Sequence, residues 1–152
     1  MKQGFSVSTE DMGRLLYAND DDALLHAMQA MANRACDEMA EAKQERSRQF
    51  EDAVRIYVEE NIRNPNFNLS ILSERFQTPS YTMSRTFRRL FGMGFNEYVT
   101  VRRMEYAKEE LILSPDKDVR TIAQDAGYSD PSYFNKVFKS VCGITPSQFR
   151  KG

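Results

Sequence analysis

The sequence is short of the residues that catalysis, metal binding and crosslinking draw on. Its two cysteines, Cys36 and Cys142, stand far apart with no CxxC spacing and no histidine beside them. Neither a zinc site nor a disulfide framework is expected, and both read as buried small hydrophobes. The single histidine, His26, sits between Leu25 and Ala27, the setting of a surface or partly packed side chain rather than of a base or ligand. GxGxxG, P-loop and GxSxG patterns and metal-ligand clusters are all missing. We therefore expect no enzyme activity, no cofactor and no metal. Seven glycines and five prolines among 152 residues exclude a collagenous or low-complexity chain. No stretch approaches the roughly 18 apolar residues that cross a bilayer, and the opening MKQGFSVSTED lacks the apolar run of a secretory signal. The expectation is a cytoplasmic chain with no membrane segment.

What is present is 41% hydrophobic and 28% charged residues, enough to pack one domain of about 100 residues with an appendage. The formal net charge of −1 and pI near 5.9 speak at first against a nucleic-acid partner. The charge is uneven, however. Residues 1–49 carry six Lys or Arg against nine Asp or Glu, and residues 50–152 carry fifteen against thirteen. The stretch SYTMSRTFRRLF from Ser80 to Phe91 has three arginines and no acid, so a cationic face fits on a mildly acidic protein.

Helical periodicity dominates. A short helix is expected over residues 9–17, with Ser8 as N-cap. A longer one starts after Asp20 or Asp21, marked by Leu24, Met28, Met31, Ala35, Met39 and Ala42. A further stripe of Phe50, Val54, Tyr57 or Val58, and Ile62 is stopped by Asn64 and Pro65. Leu69, Leu72 and Phe76 then mark two helical turns, Gln77 to Pro79 a break, and Met83, Phe87 and Leu90 the inner face of the next helix. A longer helix over about residues 96–113 should bury Tyr98, Val99, Ala107 and Leu111. The short pattern then returns. Ile122, Ala123 and Ala126 form a brief helix, Gly127 suits a turn needing positive φ, and Asp130 caps a helix opened by Pro131 with Phe134 and Phe138 inward.

The last two thirds contain a duplication. Ser73 matches Ala123 and Phe76 matches Ala126 at an offset of 50, while Met83 matches Phe134, Arg85 Lys136, Phe87 Phe138, Arg88 Lys139, Gly92 Gly143 and Tyr98 Phe149 at 51. Two copies are too few for a solenoid. The expected fold is all-α, with two helix-turn-helix subdomains (about residues 69–91 and 119–142) joined by a linker helix and preceded by an amino-terminal helical segment. In such a unit the second helix enters the major groove of DNA, and successive groove segments on one face recur about every 34 Å. A linker of about 18 residues spans roughly 27 Å, the right order to hold two such helices one DNA turn apart.

On the first recognition helix Ser80, Tyr81, Ser84, Arg85 and Arg88 lie opposite the apolar face. Arg85 is the candidate for a bidentate guanine contact, and Arg88 and Arg89 are candidates for phosphates. On the second, Pro131, Ser132, Asn135 and Lys136 face outward, followed by Lys139. Asn135 suits adenine and Lys136 guanine or phosphate. Tyr128 and Tyr133 read as packing residues. An ordinary solvated arginine face, or a helical protein-interaction module that has lost DNA contacts, is the competing reading.

The stretch IAQDAGYSDPSYFNKVFKSVCGITPSQFR resembles the signature of the AraC/XylS family of transcription regulators, and the resemblance reaches back to about Phe50. It implies a seven-helix DNA-binding domain over residues 50–152 that binds double-stranded DNA, usually activates transcription and contacts RNA polymerase. It also implies base-facing roles for Tyr81, Ser84, Arg85, Ser132, Asn135 and Lys136, and matches Arg103 and Ala107 to the family's linker-helix Arg and Ala. The first subdomain departs from the pattern, with Ser73 in place of Ala, Gln77 in place of Gly or a small residue, and Pro79 in place of a Ser cap. Repair methyltransferases with a similar region need a cysteine-rich metal site that two isolated cysteines cannot supply. Residues 1–49 resemble neither a whole sugar-binding barrel nor a whole receiver domain. They read as a connector or dimerisation segment, whose apolar stripe either docks on the chain's own DNA-binding region or makes a homodimer through residues 20–46, and the chain reads as a piece of a longer regulator rather than a natural stand-alone protein.

Overall fold

The computed structural model describes residues 9, 12, 13 and 21–151. The short helix expected over residues 9–17 lies outside them except at Thr9, Met12 and Gly13, which are helical. From residue 21 the chain forms α1 (Asp21–Asn61), α2 (Leu69–Arg75), α3 (Ser80–Phe91), α4 (Phe95–Leu113), α5 (Val119–Asp125), α6 (Pro131–Cys142) and α7 (Pro146–Arg150), with no strand among the described residues. It divides into two compact units, Met1–Phe50 and Glu51–Gly152.

The two apolar stripes read in the first third lie on one helix, α1. Residues 42–50, AKQERSRQF, contain neither Gly nor Pro and are mostly strong helix formers, so nothing interrupts the ladder. Asp21 and Asp22 occupy its first turn, where acids suit the helix dipole. In the first unit the stripe is open to solvent: Leu24, Met28 and Met39 are exposed and Met31 and Ala35 half-buried. Cys36, expected inside, is exposed. It follows Ala35 by one residue, about 100° round the helix from that stripe. Cys142 is only half-buried, against the second hydrophobic core.

In the second unit the duplication holds at the level of single backbone hydrogen bonds. Phe76 N donates to Leu72 O and Thr78 N to Ser73 O; fifty residues on, Ala126 N donates to Ile122 O and Tyr128 N to Ala123 O. The residue that turns the chain is left-handed in both copies, Gln77 at φ 48° and Gly127 at φ 87°. The first turn has four residues between its helices and the second has five, which moves the offset from 50 to 51. After it, Gly92 and Gly143 end α3 and α6 in the left-handed conformation at φ 76° and 79°. Asp130 accepts from Ser132 N as the cap of α6, whereas Pro79 gives α3 no side-chain cap.

Each copy has its own core. In the first, Phe87 stacks on Phe91 at 4.3 Å and meets Phe95 at 5.2 Å, and Phe67 bridges Tyr57 and Phe95. Val54 and Val58 of α1, Leu72 and Met83 are fully enclosed. In the second, Phe134 and Phe138 pack with Met104, Ala107, Leu111, Ile122, Ala123 and Ala126. Each large apolar side chain so enclosed stabilises the fold by about 1.5–3 kcal/mol.

Helix α4 serves both cores, with Phe95 near its start in the first and Ala107 and Leu111 in the second. Tyr98, expected inside, is half-buried. Its hydroxyl leaves the core to donate to Glu59 of α1 at 2.5 Å, and Arg102 donates to the same carboxylate at 2.9 Å. At the far end, Lys117 pairs with Glu110 at 2.6 Å and Asp125 at 2.8 Å, and Arg150 donates to Lys117 O.

Candidate nucleic-acid interface

The apolar residues of α3 recur at steps of four and three, so Met83, Phe87 and Leu90 turn inward and are buried. The same spacing leaves Ser80, Tyr81, Ser84, Arg85, Arg88 and Arg89 exposed. In α6, Phe134 and Phe138 are fully buried. Ser132, Asn135, Lys136 and Lys139 are exposed, and Pro131 is half-buried at the first helical position. Through the 51-residue offset, Tyr81 stands where Ser132 does, Ser84 where Asn135 does, Arg85 where Lys136 does and Arg88 where Lys139 does. Both helices therefore present hydroxyl or amide groups and then a cation in one register.

The cations differ in their surroundings. The Arg85 guanidinium lies 5.8 Å from the centre of the Tyr81 ring one turn earlier, and Tyr81 is 73% exposed, so both stand on the outer surface. Such a stack restrains a long side chain without consuming its five donors. Arg88 extends toward the start of α4, where a Cβ built on Gly94 would lie 4.0 Å from its Nη2. The side chains of Arg88, Lys136 and Lys139 form no hydrogen bond or ion pair among the described residues. Arg89 does: its Nη2 meets Glu51 Oε1 of α1 at 2.7 Å.

Two features were not read from the sequence. Thr82 and Thr86 line, with Tyr81, Arg85 and Arg89, a shallow depression along one side of α3; their four-residue spacing, shared with Arg85 and Arg89, was the available signal. Tyr133, expected to pack, is 59% exposed, with its ring centre 6.1 Å from that of Tyr128. It lies one residue, about 100° of helix, from the buried Phe134, at the position matching Thr82. Tyr128 is buried as expected, and burial raises its phenol pKa. Among the described residues no group of three or more His, Cys, Asp or Glu could hold a metal ion, and no helix is long and apolar enough to cross a membrane.

Comparison with known proteins agrees with the helix-turn-helix fold. A family model described as a helix-turn-helix domain matches residues 72–152. The chain is 36% identical over 97 residues to the uncharacterized transcriptional regulatory protein YesN of Bacillus subtilis (strain 168), covering 62% of this chain and 26% of that protein. It is 30% identical over 100 residues to the transcriptional activator RhrA of Rhizobium meliloti (strain 1021), covering 65% and 32% respectively. The matched region thus spans about a quarter to a third of these relatives. Among solved structures, the C-terminal domain of the two-component response regulator yesN from Fusobacterium nucleatum superposes with a TM-score of 0.62 at 34% identity, covering 65% of this chain and 95% of that domain.

Proposed function

The chain belongs to the AraC/XylS family of DNA-binding transcription regulators, and from that premise we propose that α3 and α6 enter successive major-groove segments on one face of duplex DNA. The observation that carries the reading is the matched outward register of the two helices, polar groups followed by Arg85 in one and Lys136 in the other, on turns with the same backbone hydrogen bonds.

In this reading Arg85 pairs bidentately with guanine, Asn135 recognises adenine, and Lys136 reaches guanine or phosphate. Ser80, Tyr81, Ser84, Pro131 and Ser132 complete the groove-facing surface, and Arg88, Arg89 and Lys139 serve the phosphates. Residues 50–152 form the DNA-binding domain. Residues 1–49 form a connector whose exposed Leu24, Met28 and Met39 support a homodimer through residues 20–46. The protein acts in the cytoplasm as an activator that contacts RNA polymerase, in keeping with the activator named among its relatives.

The test is a duplex selected from a random pool, titrated before and after insertion of about five base pairs between its two elements. Half a helical turn puts the elements on opposite faces, so affinity should fall to the non-specific level. Unchanged affinity would show that only one helix reads sequence.

A further inference from the structure

We propose that Arg103 is the positioning residue that holds the two recognition helices at one separation and one rotation, and so sets the spacing of the DNA elements the protein accepts. The inference rests on the two-helix reading above. Its starting point is topology: no substantial packing joins α2 or α3 to α5 or α6, and the two copies meet through α4. A single helix fixes distance well. It fixes rotation about its own axis only if something grips both subdomains beside it.

Arg103 stands on α4 between the residues that enter the two cores, and it is 9% exposed. A buried guanidinium is costly unless its donors are satisfied. Here Nε donates to Ile62 O at 2.8 Å and Nη2 to Asn64 O at 2.7 Å. Both acceptors lie in the turn that follows α1, and Asn64 O also accepts from Phe67 N at 3.0 Å. These bonds use the edge of the guanidinium, and its Cζ lies 5.4 Å from the centre of the Tyr128 ring, in the turn that leads into α6.

That turn is pressed against the same spot. A Cβ built on Gly127 would sit 2.6 Å from Arg63 O and 3.1 Å from Arg103 Cζ. One side chain thus bonds the turn that follows α1, which with α1 belongs to the first core through Val54, Val58 and Ile62, and stacks on the turn of the second helix-turn-helix. Lysine has the charge but not the planar fork that serves two carbonyls and an aromatic face together.

A loosened junction would sample several rotations. The cognate duplex would then bind more weakly and neighbouring spacings relatively better, because one base pair turns the second element by about 35° on a helix of roughly 10 base pairs per turn. The experiment compares wild type, Arg103→Lys and Tyr128→Leu on duplexes whose elements are one base pair closer, at the selected spacing and one base pair further, and on single elements, after circular dichroism has shown each variant folded. Wild type should lose about tenfold at either altered spacing. The variants should bind the selected site several-fold more weakly, bind all three spacings within about threefold of one another, and keep wild-type affinity for single elements. Either variant suffices if the other fails to fold. An unchanged spacing profile, or equal weakening on single elements, overturns the positioning role and leaves the two-helix reading standing. A wild type indifferent to spacing withdraws that reading itself, and this inference with it.

Discussion

The matched turn residues Gln77 and Gly127 should respond to substitution with opposite signs. Both are left-handed, a conformation that costs a residue with a side chain about 1–2 kcal/mol. Gln77→Gly removes that strain but frees the unfolded chain, which returns about 0.4–1 kcal/mol. The net is a stabilisation of about 0.5–1 kcal/mol, or about 4 °C in a unit of roughly 100 residues. Gly127→Ala gains the same unfolded-state term, takes on the strain, and adds a Cβ 2.6 Å from Arg63 O and 2.9 Å from Arg63 C. Those are backbone atoms, so the turn or the end of α1 must move, an overpacking cost of about 1–3 kcal/mol. Gly127→Ala should therefore destabilise by about 2–4 kcal/mol in urea unfolding followed by helical circular dichroism. If Gln77→Gly lowered stability, or Gly127→Ala cost no more than a mild surface change, the account of the two turns would be wrong.

Arg85→Ala should weaken binding to the selected site by about 1–3 kcal/mol and relax discrimination at one base pair; binding to all sites as wild type would remove Arg85 from the interface. Because Glu51 already neutralises Arg89, Arg88→Ala should flatten the dependence of log K on log salt by about 0.9 and Arg89→Ala by less. Equal changes would mean that the pair opens on DNA. Burial, then the bond and charge of Glu59, push the Tyr98 hydroxyl up to about 12, so its stabilisation is complete below pH 10 and lost as pH rises toward 12. Tyr98→Phe should flatten that alkaline fall in urea midpoints. Burial opposes the Glu59 charge, but Tyr98 and Arg102 outweigh it and hold the carboxyl below its ordinary value of 4.5; its contribution is present above 4.5 and lost as pH falls through the lowered value, a decline that Glu59→Gln should remove. Replacing Met28 and Met31 together with Glu should give a monomer in sedimentation that still binds a single site, and a wild type monomeric at high concentration would remove the dimer.

The second helix-turn-helix was legible because its local signals agree: Gly127 where φ is positive, Asp130 and Pro131 at the helix start, and Phe134 and Phe138 four apart. The first was legible mainly through its match to the second, since Gln77 and Pro79 depart from the usual turn and cap residues while the backbone bonds persist. Single positions beside a stripe were harder. Cys36 and Tyr133 are apolar enough to be expected inside, yet Cys36 lies one residue past the half-buried Ala35 and Tyr133 one residue before the buried Phe134. Pairings across 38 to 43 residues, Arg89 with Glu51 and Arg102 with Glu59, leave no periodic trace. The burial of Arg103 is of the same kind, because its acceptors are backbone carbonyls and no complementary residue type announces them.

The most direct test is selection of the wild-type protein against random duplexes, repeated with Arg85→Ala and with Asn135→Ala. The account predicts one bipartite site with two elements about 10 base pairs apart centre to centre. Arg85→Ala should erase preference within one element and Asn135→Ala within the other. Enrichment of a single element, loss of preference in the same element for both variants, or no enrichment at all would contradict it.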